Sequence, residues 1–180
     1  MSDVEVLVLV GSLRAASVNR QLADLAAESA PDGVAVTVYP DLGDLPFYNE
    51  DLEVEPAPAP VAALRAVAAA ADAALVVTPE YNGTIPGVLK NAIDWLSRPF
   101  GAGALNGKPL AVIGAAMGRY GGVWAHDETR KSFGIAGPRV IETITFSLPI
   151  GTLDGRHPAQ NAEVVAAVGQ VIRDLAAEAH

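Results

Sequence analysis

Two kinds of apolar pattern alternate along the chain: short unbroken runs, and longer stretches with apolar residues at helical spacing. Residues 4–10, Val-Glu-Val-Leu-Val-Leu-Val, are almost wholly apolar, rich in valine, and end at Gly11. Length and β-branching predict a strand buried on both faces. Residues 19–30 set Leu22, Leu25, Ala26 and Ser29 at helical spacing, with Asn19 as the expected N-cap. Pro31-Asp32-Gly33 is a turn, and residues 34–39 read as a second strand. Residues 40–60 form a loop rich in Pro, Gly and Asp, and its Pro-Ala-Pro-Ala-Pro end reads as a stiff connector. Residues 60–71 predict a helix buried through Leu64, Val67, Ala68 and Ala71, and 73–78 a third strand. After a loop over 79–86, Pro86 takes the first position of a helix whose stripe is Leu89, Ala92, Ile93 and Leu96. Residues 109–116 predict a fourth strand, 121–135 a helix and 139–146 a fifth strand. Val164, Val168, Val171, Ile172 and Leu175 mark a final helix.

Five apolar strands alternating with five helices imply an α/β fold with a parallel sheet covered on both faces and right-handed crossovers. For this number of strands the expected architecture is a flavodoxin-like three-layer sandwich with strand order 2-1-3-4-5. A ligand would then sit at the switch point, beyond the carboxyl ends of the first and third strands. That singles out the loops at 11–19, 79–86 and 115–122.

Composition narrows the chemistry. The chain has 180 residues, 51% of them hydrophobic, and reads as a single domain over 1–180. Cysteine is absent, which removes disulfides, thiolate metal sites and a cysteine nucleophile, and leaves redox chemistry to a borrowed cofactor. A net charge of −9 argues against nucleic acid and acidic membranes as partners. No apolar run reaches the length of a membrane span, and the start, Met-Ser-Asp-Val-Glu, lacks a basic leader, so a cytoplasmic location is expected. His126, His157 and His180 are dispersed, which argues against a metal site.

The first loop, Gly11-Ser12-Leu13-Arg14-Ala15-Ala16-Ser17-Val18-Asn19-Arg20, follows a strand and opens a helix. Orphan amides at a helix N-terminus suit an anion, and Ser12, Arg14, Ser17, Asn19 and Arg20 could satisfy a phosphate monoester without a metal. It has neither Walker nor G-x-G-x-x-G spacing. An ordinary strand–helix turn with solvated arginines would use the same residues. The second loop, Pro79-Glu80-Tyr81-Asn82-Gly83-Thr84-Ile85-Pro86-Gly87, offers turned amides at Asn-Gly and a stacking face at Tyr81, features of a flat heteroaromatic ligand. A tight turn with an outlying tyrosine reads equally well.

Together, Gly11-Ser12-Leu13-Arg14-Ala15-Ala16-Ser17-Val18-Asn19 and the stretch from Pro79-Glu80-Tyr81-Asn82-Gly83 through Lys90-Asn91-Ala92-Ile93-Asp94-Trp95 resemble the NADPH-dependent FMN reductase family, flavodoxin-like reductases of quinones, chromate and azo dyes. The likeness spans residues 4–150. It implies FMN and NADPH (or NADH) as cofactors. Ser12, Arg14, Ser17 and Asn19 would hold the FMN phosphate, with Val18 beside them, and Pro79, Glu80, Tyr81, Asn82 and Gly83 would line the isoalloxazine. Ala115, Met117 and Gly118, in the glycine-rich third loop, would border its other side. The resemblance further implies hydride transfer from NADPH through FMN to a small-molecule electron acceptor, and a homodimer or homotetramer. Relatives commonly continue the third loop with Arg-Ala-Gln, whereas this chain has Val123-Trp124-Ala125-His126. A flavodoxin-type electron carrier is the alternative, but such carriers usually lack arginine in the phosphate loop.

Five other residues have plain readings. Trp95 suits a packing or subunit interface, and Lys90 with Asp94 a surface ion pair. Glu80 suits a turn or an interface salt bridge before a general acid. Arg119 suits a solvated surface before a dinucleotide-phosphate contact.

Overall fold

The computed structural model describes residues 4–40 and 42–179; the Met1-Ser2-Asp3 start and His180, both used above, lie outside them. Five strands, β1 (Val4–Val10), β2 (Val34–Val38), β3 (Ala73–Val77), β4 (Pro109–Ala116) and β5 (Arg139–Pro149), form a sheet of order β2-β1-β3-β4-β5. All neighbouring pairs are parallel. The helices are α1 (Val18–Glu28), α2 (Ala59–Ala70), α3 (Gly87–Leu96), α4 (Val123–Ala136) and α5 (Ala162–Ala177). This is the flavodoxin-like arrangement that the alternation predicted.

The unbroken apolar runs follow from burial on both faces. In β1, Val4, Val6, Val8 and Val10 pack with Leu22 and Leu25 of α1 and with Val168, Ile172 and Leu175 of α5. Leu7 and Leu9 point the other way, into a core shared with Leu64 of α2, Ile93 and Trp95 of α3, and Phe133 of α4. The period-two alternation of a strand therefore feeds two apolar cores.

Several boundaries differ from expectation. The N-cap of α1 is Ser17, not Asn19: Ser17 is extended (φ −71, ψ 129) and its hydroxyl accepts from the Asn19 N–H at 3.2 Å. Asn19 is already helical, because its side chain is drawn into the sheet. Pro86 is the residue before α3, whose first turn bonds to its carbonyl from Leu89 and Lys90, both at 3.0 Å. β5 runs three residues past Phe146, to Pro149. Its pairing with β4 shifts register between Leu110 and Val112, so that five residues of β5 span two of β4. Such a bulge defeats a reading by alternation. The 40–60 loop holds two short 3₁₀ turns (Leu42–Asp44 and Glu50–Leu52). It is pinned to α3, where Trp95 Nε1 donates to the Pro46 carbonyl at 2.8 Å and Asn91 Nδ2 to the same carbonyl at 3.0 Å. Trp95 is thus a packing residue, edge-on to Tyr48 at 5.0 Å. Lys90 and Asp94 form the expected surface ion pair.

Candidate functional site

The loops after β1, β3 and β4 meet at the carboxyl edge of the sheet, where the strand order reverses between β1 and β3. They enclose a cleft of about 750 Å³, within the usual size of a ligand site. Ser12, Arg14, Ser17, Val18 and Asn19 line it from the first loop, Pro79, Glu80 and Tyr81 from the second, and Ala115, Met117 and Gly118 from the third. Asn82 and Gly83 do not line it; they form the tip of the hairpin behind Tyr81.

The first loop presents unpaired donors to the cleft. Residues 12–16 lie between Gly11, whose N–H donates to the Val77 carbonyl, and Ser17, whose N–H donates to the Arg14 carbonyl. Their own N–H groups have no acceptor among the described residues. α1 carries no acidic residue in its first turn, so its positive end is uncompensated. Arg14 is exposed and without an ion-pair partner among the described residues. Arg20 differs: its guanidinium pairs with Asp24 on the next turn at 2.9 Å, so it serves the helix surface. A run of free amides with one free guanidinium fits a phosphate.

Asn19 has a second task. Its Oδ1 accepts from the Ala115 N–H at 2.8 Å and its Nδ2 donates to the Ala115 carbonyl at 2.9 Å, both buried. The amide therefore clamps the first loop to the start of the third. Gly114 makes room for this. A Cβ there would stand 2.0 Å from the Thr78 carbonyl oxygen, 2.8 Å from His126 Nε2 and 2.9 Å from Asn19 Oδ1.

The second loop is a two-residue hairpin. The N–H of Tyr81 donates to the Thr84 carbonyl and that of Thr84 to the Tyr81 carbonyl, each at 3.1 Å. Asn82 (φ 53) and Gly83 (φ 75) are both left-handed, which gives a type I′ turn. The turn holds the Tyr81 ring out, 51% exposed. Glu80 has no ion-pair partner among the described residues. Its carboxylate accepts from the N–H groups of Trp124 (3.1 Å) and Ala125 (3.3 Å), the first turn of α4. The N-cap position of α4 is Gly122 (φ 97), which has no side chain to offer, so a carboxylate from another loop supplies the cap.

His126 is fully buried. Nε2 lies 3.1 Å from the Thr78 carbonyl and Nδ1 2.8 Å from Ser147 Oγ. A carbonyl can only accept, which assigns the proton to Nε2 and leaves Nδ1 accepting from the hydroxyl. Burial, reinforced by the nearby Arg130, pushes its pKa down to about 4, against the opposing pull of the Thr78 carbonyl and of Asp127. On the same helix Arg130 is buried, donating to the Val112 carbonyl at 2.8 Å and to Asp127 at 2.9 Å. Arg119 lies over the exposed Tyr120 ring at 4.9 Å.

Sequence reasoning missed part of the wall. Ile150, Leu153, Gly155, Arg156 and His157, on the connection between β5 and α5, complete the cleft. Nothing in their spacing marked them; only the Asp154-Gly155 turn hinted at a reversal. Among the described residues no three His, Asp or Glu gather as a metal site, and no helix is long and apolar enough to cross a membrane.

The chain has close relatives. It is 47% identical over 133 residues to a quinone reductase of Pseudomonas putida, covering 73% of this chain and 71% of the relative. It is 42% identical over 163 residues to a quinone reductase of Escherichia coli, covering 90% and 85%. Among solved structures, the flavoenzyme NAD(P)H:(acceptor) oxidoreductase FerB of Paracoccus denitrificans superposes with a TM-score of 0.85 at 30% identity, over 98% of this chain and 97% of that one. The three loops and the sheet edge that gathers them fall within residues 4–152, which match the profile of the NADPH-dependent FMN reductases, and the chain belongs to that family.

Proposed function

We propose that the cleft takes FMN with its phosphate on the amides of residues 12–16 and its ring system beside Tyr81, and that the enzyme carries hydride from NADPH or NADH to a quinone. The observation that carries this reading is the run of amides at the start of α1, unpaired among the described residues, with Arg14 beside it lacking an ion-pair partner there, in a chain of net charge −9. When bound, FMN supplies a ring that accepts hydride and passes electrons on singly or in pairs.

The protein's part is to bind and orient. The free amides, the helix end and Arg14 together offset a dianionic phosphate, and Ser12 and Ser17 add hydroxyls. The type I′ turn fixes the direction of the Tyr81 ring, and Met117, 80% exposed, flanks the cleft from the opposite loop. Between them the cleft stays open, so donor and acceptor can enter by turns. Geometry held by backbone groups lowers the entropic cost of the transfer. No proton-moving residue is required, and Glu80 is committed to α4. The names of the relatives support a quinone as acceptor.

The reading takes the chain as one cytoplasmic domain that pairs into a homodimer or homotetramer. Exposed Phe100 and Ile135, which line a second groove between α3 and α4, are apolar surface that another copy would cover. Light scattering on the purified protein checks this.

The deciding experiment is a visible spectrum of the purified protein after addition of FMN, then NADPH with menadione and no partner reductase. Flavin uptake with sustained NADPH oxidation is the expected result. Flavin uptake without turnover would make the protein an electron carrier, and no uptake would end the reading.

A further inference from the structure

We propose that Arg156 and His157 form a second phosphate-holding wall of the cleft, for a phosphate monoester carried by one of the two nucleotides of the reaction. The inference rests on the reading that FMN and a nicotinamide dinucleotide use this cleft. It concerns residues past position 152, where the family match ends.

The connection from β5 to α5 is folded firmly against the body of the molecule. Leu153 and Pro158 are buried, and Asp154 (φ 50) and Gly155 (φ 76) are both left-handed, so the chain doubles back. That reversal brings Arg156 onto Leu153. Its backbone N–H donates to the Leu153 carbonyl at 2.9 Å and its Nε to the same oxygen at 3.1 Å. The guanidinium is thereby fixed at its root, and its terminal N–H groups donate to no acceptor among the described residues. Nη2 forms a long, exposed ion pair with the Asp154 carboxylate at 3.8 Å, beyond hydrogen-bond length, so the terminal N–H groups keep their donor capacity.

His157 adds a donor of defined direction. Its Nδ1 accepts from the Ala159 N–H at 3.2 Å, which closes a capping box with Gln160. A neutral ring so bonded carries its proton on Nε2, which has no partner among the described residues. The Gln21 amide lines the same part of the cleft. Among the described residues the only carboxylate lining the cleft is Glu80, already held by two amides of α4. An acidic chain has thus placed an arginine, a histidine and an amide in the lining of the cleft, with Asp154 beside the arginine but outside the lining. A dianion with three acceptor oxygens meets that demand, and a neutral group does not. Two such groups are available: the 5′-phosphate of FMN and the 2′-phosphate of NADPH.

The test is equilibrium binding, independent of turnover. Wild type, Arg156→Ala and Arg156→Glu are titrated as apoprotein with FMN, and as FMN-loaded protein with NADP⁺ and NAD⁺. Arg156 is exposed, so unchanged thermal unfolding is the control for folding. Loss of a charge-assisted bond should weaken the monoester ligand about 10-fold or more. FMN weakened, with the NADP⁺ to NAD⁺ ratio unchanged, assigns the wall to the flavin phosphate. NADP⁺ weakened against NAD⁺, with FMN unchanged, assigns it to the 2′-phosphate. Equal affinities in wild type and Arg156→Glu overturn the inference, as does equal weakening of NADP⁺ and NAD⁺. A wild-type chain that takes up no FMN overturns the reading beneath it, and the inference with it.

Discussion

The imidazole of His126 donates from Nε2 to the carbonyl of Thr78, the residue that hands β3 over to the cleft-lining loop, across 3.1 Å of fully buried space. One side chain on α4 therefore sets where Pro79 begins. Its pKa of about 4 lies below the ordinary 6.5, so the folded protein holds the ring neutral. On acidification the unfolded chain takes up the proton first. The contribution is complete above pH 6.5, is lost as pH falls to about 4, and levels off below. Urea unfolding at a series of pH values should show a loss of about 3 kcal/mol over that window in wild type. His126→Gln should lack that component of the pH dependence, and an equally steep profile in the variant would refute it.

Arg14 and Arg20 make a controlled pair, since among the described residues only the second has a carboxylate partner. Arg14→Ala should weaken FMN binding by about 1.5–3 kcal/mol, the range for a hydrogen bond to a charged group. Arg20→Ala should leave it nearly unchanged, because exposed pairs of this kind contribute little. Fluorescence titration of the apoprotein with FMN reads both; equal effects would remove Arg14 from the site.

Glu80→Ala deprives the first turn of α4 of its acceptor while Gly122 offers none. The cost should be about 0.5–2 kcal/mol of stability, as for other lost N-caps. Glu80→Gln keeps an acceptor oxygen and should recover part of it. Denaturant midpoints decide. A reductase that fails in both variants while remaining fully stable would restore Glu80 to a chemical role.

Gly83 and Gly114 separate the hairpin from the core. Gly83 is left-handed at φ 75, yet a Cβ there meets only Trp124, at 3.7 Å. Gly83→Val should cost about 1–2 kcal/mol of backbone strain, felt in the hairpin and hence in flavin affinity. A Cβ on Gly114 would stand 2.0 Å from a backbone oxygen. Gly114→Ala should therefore lower global stability as well as flavin uptake. Thermal unfolding alongside FMN titration checks the contrast, and matched losses in the two variants would contradict it.

How much of this was legible beforehand depended on distance along the chain. The strands of residues 4–10, 73–77 and 109–116 stood out because burial on both faces demands an unbroken apolar run. The loop at 11–19 stood out because strand, turn and helix start are neighbours in sequence. Ser17 as cap, rather than Asn19, turned on a contact with Ala115, 96 positions away. Glu80 as the cap of α4, His126 beneath Thr78, and Arg156 on the wall of the cleft share that character. Each acts through a partner from another element, and no local pattern encodes such a meeting.

The sequence by itself determined the order of elements, the sheet and the loops that line the cleft, because periodicity and turn chemistry are local and summed over many residues. Only the tertiary structure decided which polar side chains stay free to meet a ligand and which are spent on the protein. A hydrogen bond is settled by a few tenths of an ångström between groups that the fold, not the chain, makes neighbours.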